Sequence, residues 1–291
     1  MTDAKFGVAL GGGGVRGLAH IVALQAIDSC GVKPSVIAGT SMGAIIGALY
    51  ASGISGEELY RKTTENILSR KDSFREVVGK APKISQWLRV IKLNLHHGTI
   101  FKADRFLQQL SEIIKVKTFE ELEIPLHIVT TNFWTGEEVV LSSGELLPAI
   151  GASMAIPGIF SPVTIDNQIL VDGGLCNNLP VSVLHDKCNT TIAIDVAPNK
   201  PSDDDTMPGL SDSIIRMFDL MVEKAVDSYI RKYPPDIYVH AKTNDISVLD
   251  FHKSGEVLRQ AATAAAELKT KLQAKLAETH NTKSLSQQPE E

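Results

Sequence analysis

A serine with a glycine two positions away on each side is the feature of this 291-residue sequence best suited to chemistry. The segment Gly39-Thr-Ser41-Met-Gly43 has the pattern G-x-S-x-G, which is typical of a nucleophile elbow. It lies between an apolar run predicted to be a buried strand and a run of small residues predicted to be a helix. A serine in that turn projects above the sheet, at a helix N-terminus where the dipole favours negative charge. The pattern therefore predicts a nucleophile at Ser41.

A glycine-rich loop follows the first predicted strand. Read alone, the segment from Gly12 to Gly17 matches G-x-G-x-x-G, a dinucleotide fingerprint that also expects an acidic residue ~20 positions later. The second predicted strand runs instead into Ser41, without a carboxylate, and no G-x-x-x-x-G-K-[ST] phosphate loop is present. Unhindered amides in a run of glycines beside a serine nucleophile can bind the oxyanion of a tetrahedral intermediate, a contribution of ~2.7–4 kcal/mol per donor. We therefore predict an oxyanion hole in this loop.

A third glycine-rich segment, Asp172-Gly-Gly174, follows a short apolar strand at 169–171. An aspartate flanked by glycines at a strand exit can approach another loop closely, because no side chain obstructs the approach. Taken by itself, however, this segment is typical of an ordinary turn.

The elements that must position these segments alternate between short apolar strands and helices in the first half of the chain. Strands that are apolar throughout and separated by helices indicate a parallel sheet covered on both faces. Strands are predicted at 6–10, 35–38, 124–131, 139–141, 169–171, 191–195 and 236–240, and helices at 18–29 and 43–51.

Together the three segments resemble those of the patatin-like phospholipase family, whose characteristic motifs are G-G-G-x-R-G, G-x-S-x-G and D-G-[GA] in that order. The similarity to bacterial members extends to Thr131–Gly136, Ala152-Ser153, Ile156–Gly158, Pro162 and Asn178–Pro180. It covers residues 5–197. The resemblance implies a three-layer α/β/α sandwich with a mainly parallel central sheet, and hydrolysis of acyl esters by a Ser–Asp dyad.

The resemblance also implies roles for individual residues. Ser41 is then the nucleophile and Asp172 the base, and Gly12, Gly13 and Gly14 line the oxyanion hole. Six further residues either complete the three motifs or bind substrate, and they are Arg16, Gly17, Gly39, Gly43, Gly173 and Gly174. Arg16 either contacts a substrate phosphate or braces the loop, and bracing is favoured. No metal or organic cofactor is implied.

A Ser-His-Asp triad is the alternative to the dyad. His240 is the one histidine whose order after Ser41 and Asp172, or after Asp195, fits an α/β-hydrolase triad. His20 lies on the first predicted helix, where packing is the favoured role. The dyad remains the preferred interpretation.

The chain divides into a catalytic core at 5–197 and a mainly helical extension at 198–279, expected to pack on the core. Residues 280–291 are polar and predicted to be disordered. Within the core, a helical insertion at 54–116 contains the basic amphipathic segment 84–97. That segment is predicted to be a packed lid, with an interfacial membrane anchor as the alternative.

Composition limits the function further. A net charge of −5 disfavours a nucleic-acid partner. Three cysteines without paired spacing indicate a reducing compartment. The sequence shows neither the pattern of a cleaved signal peptide nor an apolar run of ~20 residues, so we expect a cytoplasmic protein. If the segment 84–97 is an anchor, we expect peripheral contact with the inner membrane face through it.

The expected activity is hydrolysis of fatty-acyl esters of phospholipids or lysophospholipids through an acyl-Ser41 intermediate. A general carboxylesterase or thioesterase is the alternative among enzymes. A non-catalytic regulatory or adaptor protein on the same fold is the alternative from another class.

Overall fold

The computed structural model describes residues 5–72, 104–198, 207 and 209–285. Its strands form one sheet and are β1 (Phe6–Leu10), β2 (Val36–Thr40), β3 (Leu126–Asn132), β4 (Glu138–Leu141), β5 (Val163–Ile165), β6 (Gln168–Asp172), β7 (Thr190–Asp195) and β8 (Ile237–His240). Its α-helices are α1 (Ala19–Ser29), α2 (Met42–Ala51), α3 (Gly56–Asp72), α4 (Asp104–Ile114), α5 (Leu146–Ser153), α6 (Leu210–Lys232) and α7 (Ser254–Leu285).

The strand order is β5-β6-β3-β2-β1-β7-β8, and β4 also pairs with β3. All pairings among β1, β2, β3, β7 and β8 are parallel, whereas β4, β5 and β6 pair antiparallel. β1 lies between β2 and β7, so the loops that follow β1 and β2 emerge side by side at the carboxyl edge. In open α/β sheets, ligand-binding crevices form at such an edge.

The pairing of β3 changes partner in the middle of the strand, and this change positions Asp172. Val129 is the last β3 residue paired with β2, opposite Thr40. Thr130 is the first paired with β6, opposite Asp172. Because Ser41 directly follows Thr40, this register brings the end of β6 next to the turn that leaves β2.

Apolar side chains pack on both faces of the sheet. The larger cluster joins alternate β1 residues such as Val8 and Leu10 to α1, α2 and the α7 residues Leu268 and Leu272. The smaller one joins Ala9 and other residues of the opposite face to α6 and to the loop around Leu179. The predicted α/β sandwich with a mainly parallel central sheet is therefore confirmed.

Two local predictions differ from the structure. Strand β5 was not predicted, because it is three residues long and is joined to β6 by the tight turn Asp166-Asn167, both with positive φ. Helix α7 ends at Leu285, so residues 280–285 are helical where disorder was predicted. Extending an existing helix gains one hydrogen bond for each residue that is ordered and avoids the cost of nucleating a new helix.

The insertion is only partly described: α3 and α4 lie within it, and the segment 84–97 lies outside the described residues. In the described part of the chain, no helix has the length and apolar character needed to cross a bilayer.

Candidate active site

Ser41 sits in a strained turn between β2 and α2. Its backbone has φ 53° and ψ −119°, and its carbonyl accepts the first helical hydrogen bonds, so it caps α2. The flanking glycines are required by space. A Cβ at Gly39 would lie 2.6 Å from the Gly43 carbonyl oxygen, and a Cβ at Gly43 would collide with the Leu10 carbonyl. The G-x-S-x-G spacing therefore reflects the close packing of the elbow on itself and on the end of β1.

The Ser41 hydroxyl donates a hydrogen bond of 2.7 Å to Asp172 Oδ2. Both residues are buried. The second carboxylate oxygen, Oδ1, accepts the Gly174 amide at 2.7 Å, which orients the carboxylate toward the serine. Gly173 lets this loop pass β3 closely, because a Cβ there would collide with the Val129 carbonyl. The structure thus brings together the two residues that the sequence motifs name.

Burial raises the pKa of Asp172 from its ordinary value to about 6. Loss of hydration disfavours the carboxylate, and the hydrogen bonds from Gly174 and Ser41 oppose this effect only in part. A carboxylate with this pKa is a stronger base than an exposed aspartate and is still ionised near pH 7.

Ser153 contacts the backbone of the elbow through its hydroxyl. The sequence motifs assign it no functional role. Its hydroxyl accepts the Ser41 amide at 2.8 Å and donates to the Val129 carbonyl at 2.6 Å. The side chain is fully buried at the end of α5. It therefore links Ser41 to β3. The only signal in the sequence is its place in a segment that resembles the patatin-like proteins.

The glycine loop after β1 lies against Ser41, since a Cβ at Gly12 would be 3.2 Å from the Ser41 Cβ. The Gly12 amide, however, already donates to the Asn178 carbonyl at 3.0 Å. Among the described residues, the Gly13 and Gly14 amides have no acceptor. Of the three predicted oxyanion donors, the Gly12 amide is therefore occupied and the Gly13 and Gly14 amides are available, so these two carry the prediction.

The C-terminal extension supports the glycine loop, although the sequence assigned it no role. The Val248 carbonyl accepts the Val15 amide at 3.0 Å, immediately after the loop. It also abuts Gly14, which has φ 55° and leaves no space for a Cβ. On the other side Gly17 packs on Met42, the residue after Ser41. The loop is thus enclosed by the elbow and by the extension.

Arg16 is buried and forms a bidentate ion pair with Asp219 of α6. Its Nη2 lies 2.7 Å from Oδ1 and its Nη1 lies 3.2 Å from Oδ2. Both side chains are less than 10% exposed. The guanidinium is therefore engaged in joining the glycine loop to α6, the geometry expected of a brace. Asp219 was not identified in the sequence, because it lies 203 positions away.

The brace can be tested by removing its acidic partner. Asp219→Ala leaves a buried guanidinium unpaired, so we expect the free energy of unfolding to fall by ~3–5 kcal/mol. The matched control is Asp227→Ala, at an exposed position of the same helix, which should change stability by less than ~0.5 kcal/mol. Chemical denaturation measures both. Equal stability of the two variants would contradict the brace.

The candidate histidines His20 and His240 form no hydrogen bond with Ser41 or Asp172. His20 is fully buried and its Nε2 lies 2.7 Å from the Gly11 carbonyl oxygen, so the nitrogen donates. Burial lowers the pKa of His20 to about 4. His240 Nε2 lies 3.0 Å from the Ala197 carbonyl oxygen. Asp195, the other candidate acid, accepts from the Ala197 amide and the Tyr238 hydroxyl.

Groups of three or more His, Cys, Asp or Glu placed to hold a metal ion are absent from the described ranges.

The class defined by this fold and site is an α/β protein with a buried serine–aspartate pair at the carboxyl edge of its sheet.

The patatin-like phospholipase family model matches residues 8–185, which include the nucleophile elbow, the glycine loop and the aspartate loop. The chain therefore belongs to the patatin-like phospholipase family. An uncharacterized NTE family protein of Mycobacterium tuberculosis is 33% identical over 181 residues, or 62% of this chain and 46% of that protein. The human patatin-like phospholipase domain-containing protein 6 is 30% identical over 206 residues, or 70% of this chain and 14% of that protein. The matched region is less than half of each relative.

A similar fold occurs among solved structures. VipD from Legionella pneumophila superposes with a TM-score of 0.52, covering 92% of this chain and 67% of that one. The sequence identity is 15%, so this likeness concerns the fold alone.

Proposed function

We propose that this chain is a serine acyl-ester hydrolase that cleaves fatty-acyl esters of phospholipids or lysophospholipids, with Ser41 as nucleophile and Asp172 as base. The observation that supports it most directly is the buried 2.7 Å hydrogen bond from the Ser41 hydroxyl to Asp172. A hydroxyl at a strained elbow, paired with a base of raised pKa, is the arrangement that nucleophilic catalysis needs.

In the proposed acylation step, Ser41 Oγ attacks the ester carbonyl carbon while its proton passes to Asp172 Oδ2. The carbonyl oxygen becomes an oxyanion, which the Gly13 and Gly14 amides and the N-terminus of α2 stabilise. The tetrahedral intermediate then expels the alcohol. Asp172 returns the proton to that leaving oxygen, and the acyl group remains on Ser41.

Deacylation repeats these transfers with water. Asp172 takes a proton from a water molecule, the hydroxyl oxygen attacks the acyl carbon, and the same amides hold the second oxyanion. Collapse of this intermediate releases the fatty acid, and the proton on Asp172 returns to Ser41 Oγ. One carboxylate thus serves both half-reactions in turn.

Exposed apolar side chains near the carboxyl edge favour a lipid substrate. Leu175 follows the aspartate loop, and Phe133 and Trp134 follow the end of β3. Met217 and Met221 are exposed on α6, whose Phe218 approaches Gly174. Acyl chains and the apolar part of a lipid surface suit such surroundings better than a polar metabolite does.

A substrate panel distinguishes this proposal from its alternatives. We expect the protein to hydrolyse a lysophospholipid and a diacyl phospholipid with higher kcat/KM than a short soluble ester or an acyl thioester. Preference for the short ester or thioester would favour a general esterase or thioesterase. A protein that hydrolyses none of them and does not react with a fluorophosphonate would instead be a non-catalytic binding protein.

The oxyanion hole can be tested at Gly13. In Gly13→Ala the new Cβ would lie 2.9 Å from the Val196 carbonyl oxygen, so the loop must shift and displace its amides. We expect kcat to fall by more than about tenfold with a smaller change in KM. Gly31→Ala is the control for kcat, because nothing lies within 4 Å of the added carbon and the backbone strain at φ 68° is confined to a turn away from the glycine loop. A change in KM alone would indicate substrate binding by the loop.

A cytoplasmic location, with peripheral contact to the membrane surface, completes the proposal. The three cysteines, which are unpaired, support the cytoplasmic part of this proposal.

A further inference from the structure

Asn178 holds the glycine loop and the aspartate loop together. It follows the aspartate loop in sequence and is buried. Its main-chain carbonyl accepts the Gly12 amide at 3.0 Å, and its side-chain Nδ2 donates to the Gly12 carbonyl at 3.0 Å. Asn178 therefore engages both peptide groups that flank the Gly12 Cα.

The bond to the Gly12 carbonyl has a consequence for the next amide. The Gly12 C=O and the Gly13 N–H belong to one planar trans peptide, in which the two groups point in opposite directions. By fixing the carbonyl, Asn178 Nδ2 also fixes the direction of the Gly13 N–H. Accepting a hydrogen bond at the carbonyl further polarises that peptide and strengthens the N–H as a donor.

The side-chain oxygen of Asn178 occupies the space between the two loops. It lies 2.5 Å from the position of a Cβ at Gly12 and 2.9 Å from that of a Cβ at Gly174. Gly12 adjoins Ser41, and the Gly174 amide holds Asp172. The size of this side chain therefore sets the separation between the loop beside the nucleophile and the loop that carries the base.

We propose that Asn178 is a positioning residue of the hydrolase, which aims the Gly13 amide at the oxyanion and sets the spacing of the two catalytic loops. This inference rests on the proposed function. It assigns to Asn178 a role in the transition state, exerted through Gly13 without contact with the reacting atoms.

Asn177 provides a matched control. It is the same residue type, is fully buried and adjoins Asn178. Its Nδ2 donates to Glu138 at 2.6 Å and to Ser182 at 3.0 Å, away from the glycine loop. A variant of Asn177 therefore reports the cost of losing a buried amide in this segment without releasing Gly12.

The experiment compares Asn178→Asp, Asn178→Ser and Asn177→Ser in the full chain. Asp has nearly the shape of Asn but cannot donate to the Gly12 carbonyl when ionised, so this variant is assayed above about pH 8, where a buried carboxyl is ionised more fully. Ser is too short to reach the carbonyl. We expect both Asn178 variants to lose about tenfold to a hundredfold in kcat on a lysophospholipid, with KM within about threefold of wild type. The rate of fluorophosphonate labelling should fall in parallel. Asn177→Ser should lower Tm and keep kcat within about threefold.

Hydrogen–deuterium exchange gives a readout that does not depend on turnover. The peptide covering residues 11–17 should exchange faster in both Asn178 variants, and at the wild-type rate in Asn177→Ser. An active wild type with unchanged kcat in folded Asn178→Asp or Asn178→Ser would overturn this inference alone. A loss of kcat in Asn177→Ser equal to that in the Asn178 variants would also overturn it. A wild type inactive on every ester would overturn the proposed function and this inference with it.

Discussion

Ser41→Ala is expected to lower ester hydrolysis by at least about a thousandfold and to abolish labelling by a fluorophosphonate. The change removes the attacking oxygen and leaves the oxyanion donors in place. Alanine occupies the elbow with the same Cβ as serine, so the strain at φ 53° is unchanged and the fold should be retained. Turnover of a lysophospholipid, labelling and thermal unfolding measure the three effects.

Ser52→Ala is the matched control for this prediction. Ser52 caps the opposite end of the same helix, α2, and its hydroxyl donates to the Leu49 carbonyl at 2.8 Å. This variant should keep wild-type kcat although it also loses the hydrogen bond of a serine hydroxyl in the same helix. Turnover by Ser41→Ala within tenfold of wild type would remove Ser41 from the mechanism.

Asp172→Asn is expected to reduce kcat by a similar factor, because an amide cannot accept the serine proton. His240→Ala and His20→Gln should each retain at least about a tenth of the wild-type activity. Asp172→Asn alone does not separate a dyad from a triad, since removing the acid of a triad is also damaging. The histidine variants do separate them. Loss in either one on the scale of Ser41→Ala would show that a histidine is the base.

The raised pKa of Asp172 predicts two pH effects with opposite signs. Because the base must be ionised, kcat/KM of the wild type should fall as pH decreases through about 6. The folded state binds this proton more tightly than the unfolded chain, so the stability that Asp172 contributes is fully present below pH ~3.8 and is lost as pH rises through about 6.

Asp172→Asn should therefore separate activity from stability. The variant cannot ionise, so at pH 8 its free energy of unfolding should exceed that of the wild type by ~1–3 kcal/mol. Near pH 4 the difference should largely disappear. Urea denaturation at the two pH values measures it. A variant less stable than wild type at pH 8 would contradict burial as the dominant influence on this carboxylate.

The elements that form the elbow could be predicted from sequence because their causes are local. Strand β2 is apolar throughout, α2 begins with small residues, and Gly39 and Gly43 flank Ser41 at the spacing that the tight turn requires. The structure places the helix start at Met42, one residue from its predicted position.

Asp172 illustrates the limit of local reasoning. Its segment, taken alone, is typical of a turn, and only the order of the three glycine-rich motifs indicated a base. What places it beside Ser41 is the change of partner along β3 at Val129 and Thr130, a property of strand register. Its raised pKa likewise depends on burial by residues distant in the chain.

The sequence by itself determined the G-x-S-x-G elbow, the alternation of strands and helices, and the family to which the chain belongs. These features depend on short-range sterics and on hydrophobic patterns, which residues close together in the chain are sufficient to specify. The tertiary structure alone decided that the Gly12 amide is occupied, that Arg16 pairs with Asp219, and that Val248 supports the glycine loop. These contacts join residues more than 150 positions apart. Their partners are selected by how the sheet and its helices pack, which no local pattern specifies.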